Sequence, residues 1–351
     1  MICPPRSAGS KESRLKIDIF NHVYPRGSFD KLMEVAPGYA DMGKRSRNIP
    51  SLVDMDLRFR MMDEFGEYCQ IPSIASPPIE VMAGPDKTPM LAEMANDGMA
   101  EMVAAYPARF PAFAAALPMN NPEHAVRELH RAVKDLGARA IQIYSNAAGE
   151  PLDSPEFEPI FEAMAGYDLP ILLHPARGAK FSDYKGEDKS KYEIWWTFGW
   201  PYETSVAMAR LVFGGIFDRY PRIKIVTHHM GGMIPYFEGR VGHGWDQLGK
   251  RTSDEDYESL LRSMKKRPFD YFKMFYADTA LFGAYSATKC GLDFFGVNNV
   301  LFASDSPFDP EGGTLYTRET IAVIDRLDIS KEERDQIYRG NAERLFKLGA
   351  S

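Results

Sequence analysis

The sequence predicts an α/β fold, an eight-stranded (β/α)8 TIM barrel. Short apolar runs alternate with amphipathic stretches eight times along the chain. Continuous apolar runs are typical of parallel strands that are buried on both faces. Histidine and aspartate residues stand at the ends of several runs, and the carboxyl ends of barrel strands meet at one mouth. A doubly wound sheet built from the same units is the alternative topology.

The predicted strands are the eight apolar runs. The first, LKIDIF, covers residues 15–20, and the last, NVLFASD, covers residues 299–305. Runs of this length suit strands rather than helices. The predicted strands are 15–20, 69–74, 111–117, 138–144, 169–174, 223–228, 272–278 and 299–305.

An amphipathic stretch lies between each predicted strand and the next, and another follows the last one. Two of these stretches carry clear start signals, because Asn121 precedes Pro122 and Ser154 precedes Pro155. Asparagine and serine cap the first turn of a helix, and proline suits the first helical position. The predicted helices are 52–67, 89–106, 121–136, 155–166, 203–219, 255–266, 280–293 and 315–327.

Two connections are longer than a barrel requires, residues 21–51 after the first strand and residues 175–202 after the fifth. Both follow the carboxyl end of a strand, and long loops there are usually functional lids or disordered. Residues 1–351 are expected to form one domain, in which residues 1–14 are a flexible N-terminal extension. The second long loop holds Trp195, Trp196 and Trp200. These tryptophans would either line a substrate pocket or pack against a neighbouring subunit.

Composition excludes several classes of protein. Hydrophobic residues make up 44% and charged residues 26% of 351 residues, which is ordinary for a globular protein and not for a disordered one. The 42 basic and 49 acidic side chains give a net charge of −7, which argues against nucleic acid or an anionic membrane as partner. No apolar run approaches the roughly 20 residues of a membrane span, and no signal peptide is apparent. Three widely spaced cysteines form no disulfide framework, so we expect a cytoplasmic protein.

The histidines show where chemistry is expected. Four of the seven lie at or just past predicted strand ends. A lone histidine is more often structural, but a barrel brings these ends together, and imidazole with carboxylate suits Zn²⁺, Mn²⁺ or Fe²⁺. The polar residues at strand ends are His22, His174, His228, His229, Asp278 and Asp305.

Five motifs stand out along the chain: KIDIFNHVYP (16–25), ILLHP (171–175), HMGGMIP (229–235), FASDSPF (302–308) and GNAERLF (340–346). They resemble the amidohydrolase-related family, and within it the branch of metal-dependent decarboxylases that act on aminocarboxymuconate semialdehyde or γ-resorcylate. The motifs occur in the family's order and extend over nearly the whole chain.

The resemblance implies a role for each matching residue. His22, His174 and Asp305 fall where the family binds its metal, and Asp305 also matches a residue that handles a proton in relatives. His229 matches a catalytic base or water-positioning group when the motif is counted back from Pro235. His228 would then be a bystander, because alternation along a strand would point it away from the barrel lumen.

Phe20 departs from the family pattern. The family has a His-x-His or Glu-x-His pair on the first strand, and its first member falls on Phe20, which cannot bind a metal. Asp18 would share the face of Phe20 and His22 but lie deeper. Three interpretations are open: a site with His22, His174 and Asp305 as ligands, the same site with His229 as a fourth ligand, or a metal-free site. Phe20 would also make the pocket floor apolar.

The resemblance implies decarboxylation of a small aromatic or unsaturated carboxylic acid with one divalent metal ion, Zn²⁺ or Mn²⁺, and no organic cofactor. Hydrolysis of a lactone or amide is the alternative, and a barrel that binds a ligand without turnover is a third. Arg177 would bind the substrate carboxylate, since it lies three residues beyond His174 and arginine pairs well with carboxylates. Trp195 and Trp196 would line the pocket.

Further expectations concern cations in the first long loop, two supporting carboxylates and the oligomeric state. The first long loop offers further cations in Lys44, Arg45 and Arg47. Glu203 and Asp278 match residues common in this branch and are expected to support the site rather than react. The branch is usually dimeric or larger, so the resemblance implies a homodimer or larger homo-oligomer.

Overall fold

A computed structural model describes residues 15–37 and 41–349; the expected N-terminal extension, residues 1–14, lies outside this range. Within it, eight parallel strands run in chain order and form the barrel. The barrel strands are β1 (Lys16–Val23), β2 (Tyr68–Ile74), β3 (Ala114–Ala116), β4 (Ala140–Tyr144), β5 (Pro170–His174), β6 (Lys224–Thr227), β7 (Tyr276–Asp278) and β8 (Val300–Leu301).

Strand pairing closes the sheet on itself. β1 pairs with β2, and β3 to β8 pair in sequence order. Between these two groups, Gln70 N in β2 donates to Arg109 O, ahead of β3, at 2.9 Å. Backbone hydrogen bonds join the last strand region to the first, since Ile19 N donates to Phe302 O at 3.1 Å and Asp305 N donates to Phe20 O at 3.1 Å. The predicted (β/α)8 topology is therefore confirmed, and the doubly wound alternative is wrong.

The helices cover the outside of the barrel and build its long loops. The Asn121 side chain accepts a hydrogen bond from His124 N, as its start signal predicts, whereas Ser154 makes no side-chain cap and precedes a 3₁₀ turn, Pro155–Phe157. The α-helices are Ser28–Val35, Asp41–Arg47, Met55–Asp63, Ile79–Met82, Thr88–Ala105, Pro122–Lys134, Glu158–Tyr167, Ile194–Thr197, Gly199–Phe213, Ile216–Arg219, Tyr257–Ser263, Pro268–Phe272, Tyr285–Phe295, Thr314–Arg326, Lys331–Asp335 and Asn341–Leu345.

Two apolar cores lie on either side of the strands. Ile17, Ile71, Leu172 and Val226 pack inside the barrel, and small alanines lie among them. A larger core separates the strands from the helices. No helix among residues 15–37 and 41–349 is both long and apolar enough to cross a membrane.

Most barrel strands are shorter than predicted, and the shortening of the seventh and eighth affects the mouth of the barrel. Residues 268–272 form a helix that begins at Pro268, so the seventh strand starts only at Tyr276. The eighth strand ends at Leu301, after which Phe302 N donates to Ile337 O instead of to a neighbouring strand. The segment that follows β8 is held against β1, since Ser304 N donates to Asp18 Oδ1 and His22 N donates to Ser306 O.

A bulge in β1 changes which residues face inward. Asp18 pairs with Gln70, but the next paired residue is Asn21, so the register shifts between them. A bulge breaks the alternation of side chains between the two faces. Phe20 therefore joins the interior core, while Asp18 contacts Tyr68 outside the barrel. The expectation that Asp18 shares the face of Phe20 and His22 is wrong for this reason.

Candidate active site

Among the described residues, five polar side chains meet at the carboxyl end of the barrel. His22 lies near the end of β1, His174 ends β5, His228 and His229 follow β6, and Asp305 follows β8. His22 Nε2 lies 3.2 Å from Asp305 Oδ1, and His228 Nε2 lies 3.4 Å from the same oxygen. The rings of His22 and His174 are 5.3 Å apart between centroids. The structure thus brings together all four residues predicted to form the site, and adds His228.

Two of the imidazoles are oriented by backbone carbonyls. His174 Nδ1 donates to Pro175 O at 2.7 Å, and His229 Nδ1 donates to Ala280 O at 2.7 Å. A nitrogen that donates to a carbonyl carries the proton of a neutral imidazole, so the lone pair is on Nε2. Both side chains line the cavity above the barrel. Each therefore offers an open nitrogen to whatever binds there.

The other two imidazoles are held by side chains. His228 Nδ1 donates to Asp278 Oδ2 at 2.5 Å, and His22 Nδ1 lies 3.3 Å from Ser73 Oγ. Their Nε2 atoms turn toward Asp305. A carboxylate behind an imidazole is the usual arrangement around a metal-binding histidine, where it fixes the tautomer and increases basicity.

The placement of His228 corrects the sequence prediction. β6 ends at Thr227, and His229 has a left-handed backbone with φ of 53°. The alternation of an extended strand therefore does not apply to these two residues, and both rings enter the site, stacked 3.7 Å apart. The expectation that His228 points away from the lumen is wrong. Asp278 Oδ1 also accepts from His229 N at 3.0 Å and so holds the bend.

Charge is distributed unevenly over the cluster. Burial opposes a charged His228, but the carboxylate of Asp278 and hydrogen bonds to Asp278 and Asp305 outweigh it and raise its pKa to about 9. Burial raises the pKa of Asp305, but the imidazoles of His22 and His228 beside it outweigh burial and hold that pKa well below its usual range. Burial and the neighbouring charge of His228 lower the pKa of His229 to about 4. The carboxylates of Asp278 and Asp305 thus favour the charged form of His228, whereas burial favours the neutral form of His229.

Phe20 does not form the pocket floor in the way expected. Its ring is fully buried and stacks on the ring of His228, with centroids 3.9 Å apart and planes 16° apart. It also lies 5.8 Å from the rings of His22 and His174. Phe20 therefore supports the histidine cluster from below, and His228 covers the surface that it would otherwise present to a substrate.

A cavity of about 680 Å³ opens over the cluster. Six of its twenty lining residues are Trp, Phe or Tyr, and such a wall suits a flat apolar ring. Lys44 and Arg45 add two cations from the first long loop, and Arg45 Nη2 donates to Phe308 O at 2.7 Å. The aromatic lining residues are Trp195, Trp196, Trp200, Phe282, Phe308 and Tyr316.

Arg177 lies elsewhere than predicted. Its Nη1 donates to Glu203 Oε1 at 2.7 Å, and its guanidinium packs over the ring of Phe181. Lys44 and Arg45 are among the residues that line the cavity, and Arg177 is not. The geometry therefore does not support the expectation that Arg177 binds the substrate carboxylate. The spacing of Arg177 from His174 in the sequence did not reveal this partner, because Glu203 lies 26 residues further along the chain.

The donor set fits a divalent metal ion. His22 Nε2 is buried and makes no hydrogen bond. One possible ligand atom from each of His22, His174 and His228 lies within 4.8 Å of the others, and the same holds for His228, His229 and Asp305. Imidazole nitrogen and carboxylate oxygen are suitable ligands for Zn²⁺ and Mn²⁺.

Comparison with known proteins agrees with this geometry. Residues 17–348 match the family model described as Amidohydrolase. The chain is 34% identical over 303 residues to gamma-resorcylate decarboxylase of Polaromonas sp. strain JS666, covering 84% of this chain and 87% of that protein. It is 29% identical to 2-amino-3-carboxymuconate-6-semialdehyde decarboxylase of Dictyostelium discoideum, covering 95% and 92%.

A solved structure extends the likeness. Dihydroxybenzoic acid decarboxylase from Polaromonas sp. JS666, with bound manganese and the inhibitor 2-nitroresorcinol, superposes with a TM-score of 0.78. The sequence identity is 30%, and the match covers 96% of this chain and 98% of that one. The family model and this full-length likeness lead to one conclusion: the chain belongs to the amidohydrolase family.

Proposed function

We propose that this protein is a metal-dependent decarboxylase of a small aromatic carboxylic acid and uses no organic cofactor. The observation that carries the proposal is that His22 lies beside both His174 and Asp305, beneath a cavity with aromatic side chains in its wall. The names of the relatives support the reaction, since gamma-resorcylate is an aromatic acid.

His22, His174 and Asp305 would hold the ion, and the manganese in the related structure favours Mn²⁺ over Zn²⁺. When bound, a divalent ion supplies an electrostatic clamp that orients substrate oxygens and stabilises developing charge. Asp305 is suited to a cation because its carboxyl stays ionised.

The cavity would hold the substrate as a flat ring. Trp195 and Trp196 line one wall, where aromatic stacking favours an aryl group. Lys44 and Arg45 provide positive charge at the cavity wall for an acidic substituent or for the approach of the anion. Arg177 has no part in this proposal, since it pairs with Glu203.

Proton transfer to the ring is the step that His229 would serve, and the ionised carboxylate of Asp305 would stabilise the protonated form of His229. Loss of CO₂ from an aryl carbon needs somewhere for the electron pair to go. A proton delivered to the carbon that bears the carboxylate forms a C–H bond first. The C–C bond then breaks, CO₂ leaves, and the electron pair restores the aromatic ring. One proton is consumed per turnover, and solvent replaces it.

His229 is suited to carry this proton between solvent and substrate. Its Nε2 is open, its ring lines the cavity, and its Nδ1 is fixed on Ala280 O. Because its imidazole is neutral near pH 7, His229 must accept a proton before it donates one. Asp305, whose nearest ligand atom lies within 4.8 Å of that of His229, is the second member of the pair.

We also propose that the protein acts in the cytoplasm as a homodimer or larger homo-oligomer. Cys69 and Cys290 are unpaired, which suits a reducing compartment. The second long loop exposes Tyr184, Tyr192 and Phe198, whose exposed fractions of 76%, 90% and 70% suit a surface covered by another copy. Light scattering on the purified protein would show a monomer if this assembly is wrong.

A substrate screen with the manganese-loaded protein tests the reaction. Hydroxylated benzoic acids are supplied in D₂O, and the products are followed by CO₂ release and by NMR. Decarboxylation predicts one deuterium on the carbon that carried the carboxylate. Water uptake by lactones or amides without CO₂ release would identify a hydrolase instead. Tight binding of the acids without turnover would leave only a ligand-binding barrel.

A further inference from the structure

Phe20 lies where the resemblance implies a metal ligand, so another residue of this chain would have to supply it. The first-strand pair of the family has a ligand at both members, and here one member is Phe20. A phenyl ring offers no ligand atom. A possible ligand lies next to it, because the imidazole of His228 stacks on the Phe20 ring with the ring centroids 3.9 Å apart.

We propose that His228 supplies the metal ligand that Phe20 cannot, so that the ion is held by His22, His174, His228 and Asp305. The inference rests on the metal dependence in the proposed function. It concerns a residue outside the ligand set that the family resemblance implies, and it explains why an aromatic residue is tolerated at position 20.

The position of His228 in the cluster is the first argument. Its possible ligand atom lies within 4.8 Å of those of His22 and His174, and also within 4.8 Å of those of His229 and Asp305. Among the described residues, His228 alone belongs to both groups. His229 is grouped with Asp305 but not with His22 and His174, so it fits the role of fourth ligand less well.

The support behind His228 is the second argument. Its Nδ1 is fixed on Asp278 Oδ2 at 2.5 Å, which leaves Nε2 to face Asp305 at 3.4 Å. Metal-binding histidines usually donate their other nitrogen to a carboxylate or carbonyl in this way. Asp278 is fully buried, and its second oxygen accepts from the backbone of His229 and Ala280, so it is not free to move.

The stacked pair is the third argument. Phe20 and His228 lie face to face in a closed part of the barrel, with both side chains fully buried. A metal-binding side chain at position 20 would place its ligand atom close to where the imidazole of His228 now lies. The two positions are therefore expected to exchange roles: either position 20 or position 228 carries the ligand.

Metal titration of the metal-free protein tests this without any assay of turnover. Mn²⁺ and Zn²⁺ affinities are measured by competition with a chelator, and bound metal is counted by elemental analysis. Loss of an outer partner of a ligating histidine typically weakens metal binding 10- to 100-fold. His228→Ala should therefore weaken binding by more than about 100-fold, and Asp278→Asn by about 10- to 100-fold. His229→Ala, the neighbouring control, should stay within about tenfold of the parent, well short of the loss of a ligand.

A double variant separates a lost ligand from general damage. Phe20→Glu combined with His228→Ala returns a ligand to the first strand and should recover affinity to within about tenfold of the parent, whereas His228→Ala alone should not. The Tm of each metal-free variant checks folding. A Co²⁺ visible spectrum that changes in His228→Ala, and not in His229→Ala, is the spectroscopic expectation.

The outcomes distinguish this inference from the function it rests on. If the parent protein binds neither Mn²⁺ nor Zn²⁺, the metal dependence and this inference both fail. If the parent binds metal and folded His228→Ala binds it equally well, His228 is not a ligand and the proposed function stands. Failure of the folded double variant to regain affinity, beside a weakened His228→Ala, would overturn the exchange of roles between positions 20 and 228.

Discussion

Strand β1 carries buried polar residues on both of its faces, and the two faces differ in how their polar atoms are satisfied. On the outer face, Asp18 accepts hydrogen bonds from the hydroxyl groups of Tyr68 and Ser304 and from Ser304 N. The Asn21 side chain donates to Asp18 O and accepts from Arg58. On the inner face, His22 Nε2 is equally buried and lies 3.2 Å from Asp305 Oδ1, but it has no partner in hydrogen-bond geometry.

The difference separates a structural cluster from a functional one. Buried polar groups are normally paired, because an unpaired one costs about 1–3 kcal/mol. The outer cluster meets this rule, even for Arg58, whose guanidinium donates to Gln70, His22 O and Asn21. The inner cluster leaves ligand atoms open where several histidines converge. We infer that the outer face maintains the barrel and that the inner face retains its open atoms for a ligand.

The largest expected effect lies at the inner cluster. His229→Ala should lower kcat by about 10²–10⁴, the usual contribution of a positioned proton-transfer group. The Tm should change little, because no apolar core depends on this side chain. Single-turnover rates and metal content are the measurements. Full activity in the variant would remove His229 from the mechanism and weaken the distinction between the two faces.

The outer cluster should show the reverse pattern. Asp18→Ala leaves several buried donors without an acceptor and should lower the free energy of unfolding by at least about 3 kcal/mol. Tyr68→Phe removes one hydroxyl and should cost about 1–2 kcal/mol. Urea denaturation measures both. Folded Asp18→Ala should still bind metal, and loss of metal with unchanged stability would contradict the structural role of this face.

Glu80 sharpens the comparison, since it is buried and its Oε1 has no partner, yet it lies apart from the histidine cluster. Burial raises its pKa from 4.5 to about 8. Between those values the folded chain binds more protons than the unfolded chain, so the free energy of unfolding falls as pH rises. Glu80→Gln should remove this fall. The stability of the variant relative to the parent should therefore be greater at pH 8 than at pH 5.

The measurement for Glu80 is the Tm difference between variant and parent across this pH range. Glu123→Gln is the matched control, because the Glu123 side chain is exposed. A Tm difference that stays constant with pH would show that Glu80 titrates normally. Loss of activity in Glu80→Gln would mean that this isolated carboxyl is functional after all.

The smallest effect is expected at the cavity wall. Trp196→Leu should raise KM about 2- to 10-fold, since an aromatic contact contributes about 0.5–1.5 kcal/mol beyond area burial. Trp245→Leu is the control, because Trp245 stacks on Phe272 instead of lining the cavity. Steady-state kinetics distinguish the two. An equal change in KM for both variants would indicate a general loosening of the fold.

Much of this arrangement follows from sequence pattern, and the failures have local causes. Apolar runs give the barrel order, and strand ends bring His22, His174 and Asp305 together. Side-chain alternation failed at Asp18 because of the β1 bulge, and at His228 because β6 stops one residue earlier. Neither event is marked by glycine or proline at that point. Periodicity assumes regular backbone, and sites are often built where regular backbone ends.

The left-handed backbone at His229 and Asp305, with φ of 53° and 63°, has a consequence for evolution and engineering. Residues other than glycine adopt this conformation at a cost of about 1–3 kcal/mol each. Favourable interactions in the rest of the barrel must offset that free energy, so the active-site conformation depends on the stability of the surrounding fold. Variants selected only for heat resistance are expected to lose the left-handed backbone at these two positions, and turnover with it. Stabilising changes are better sought on the outer helices.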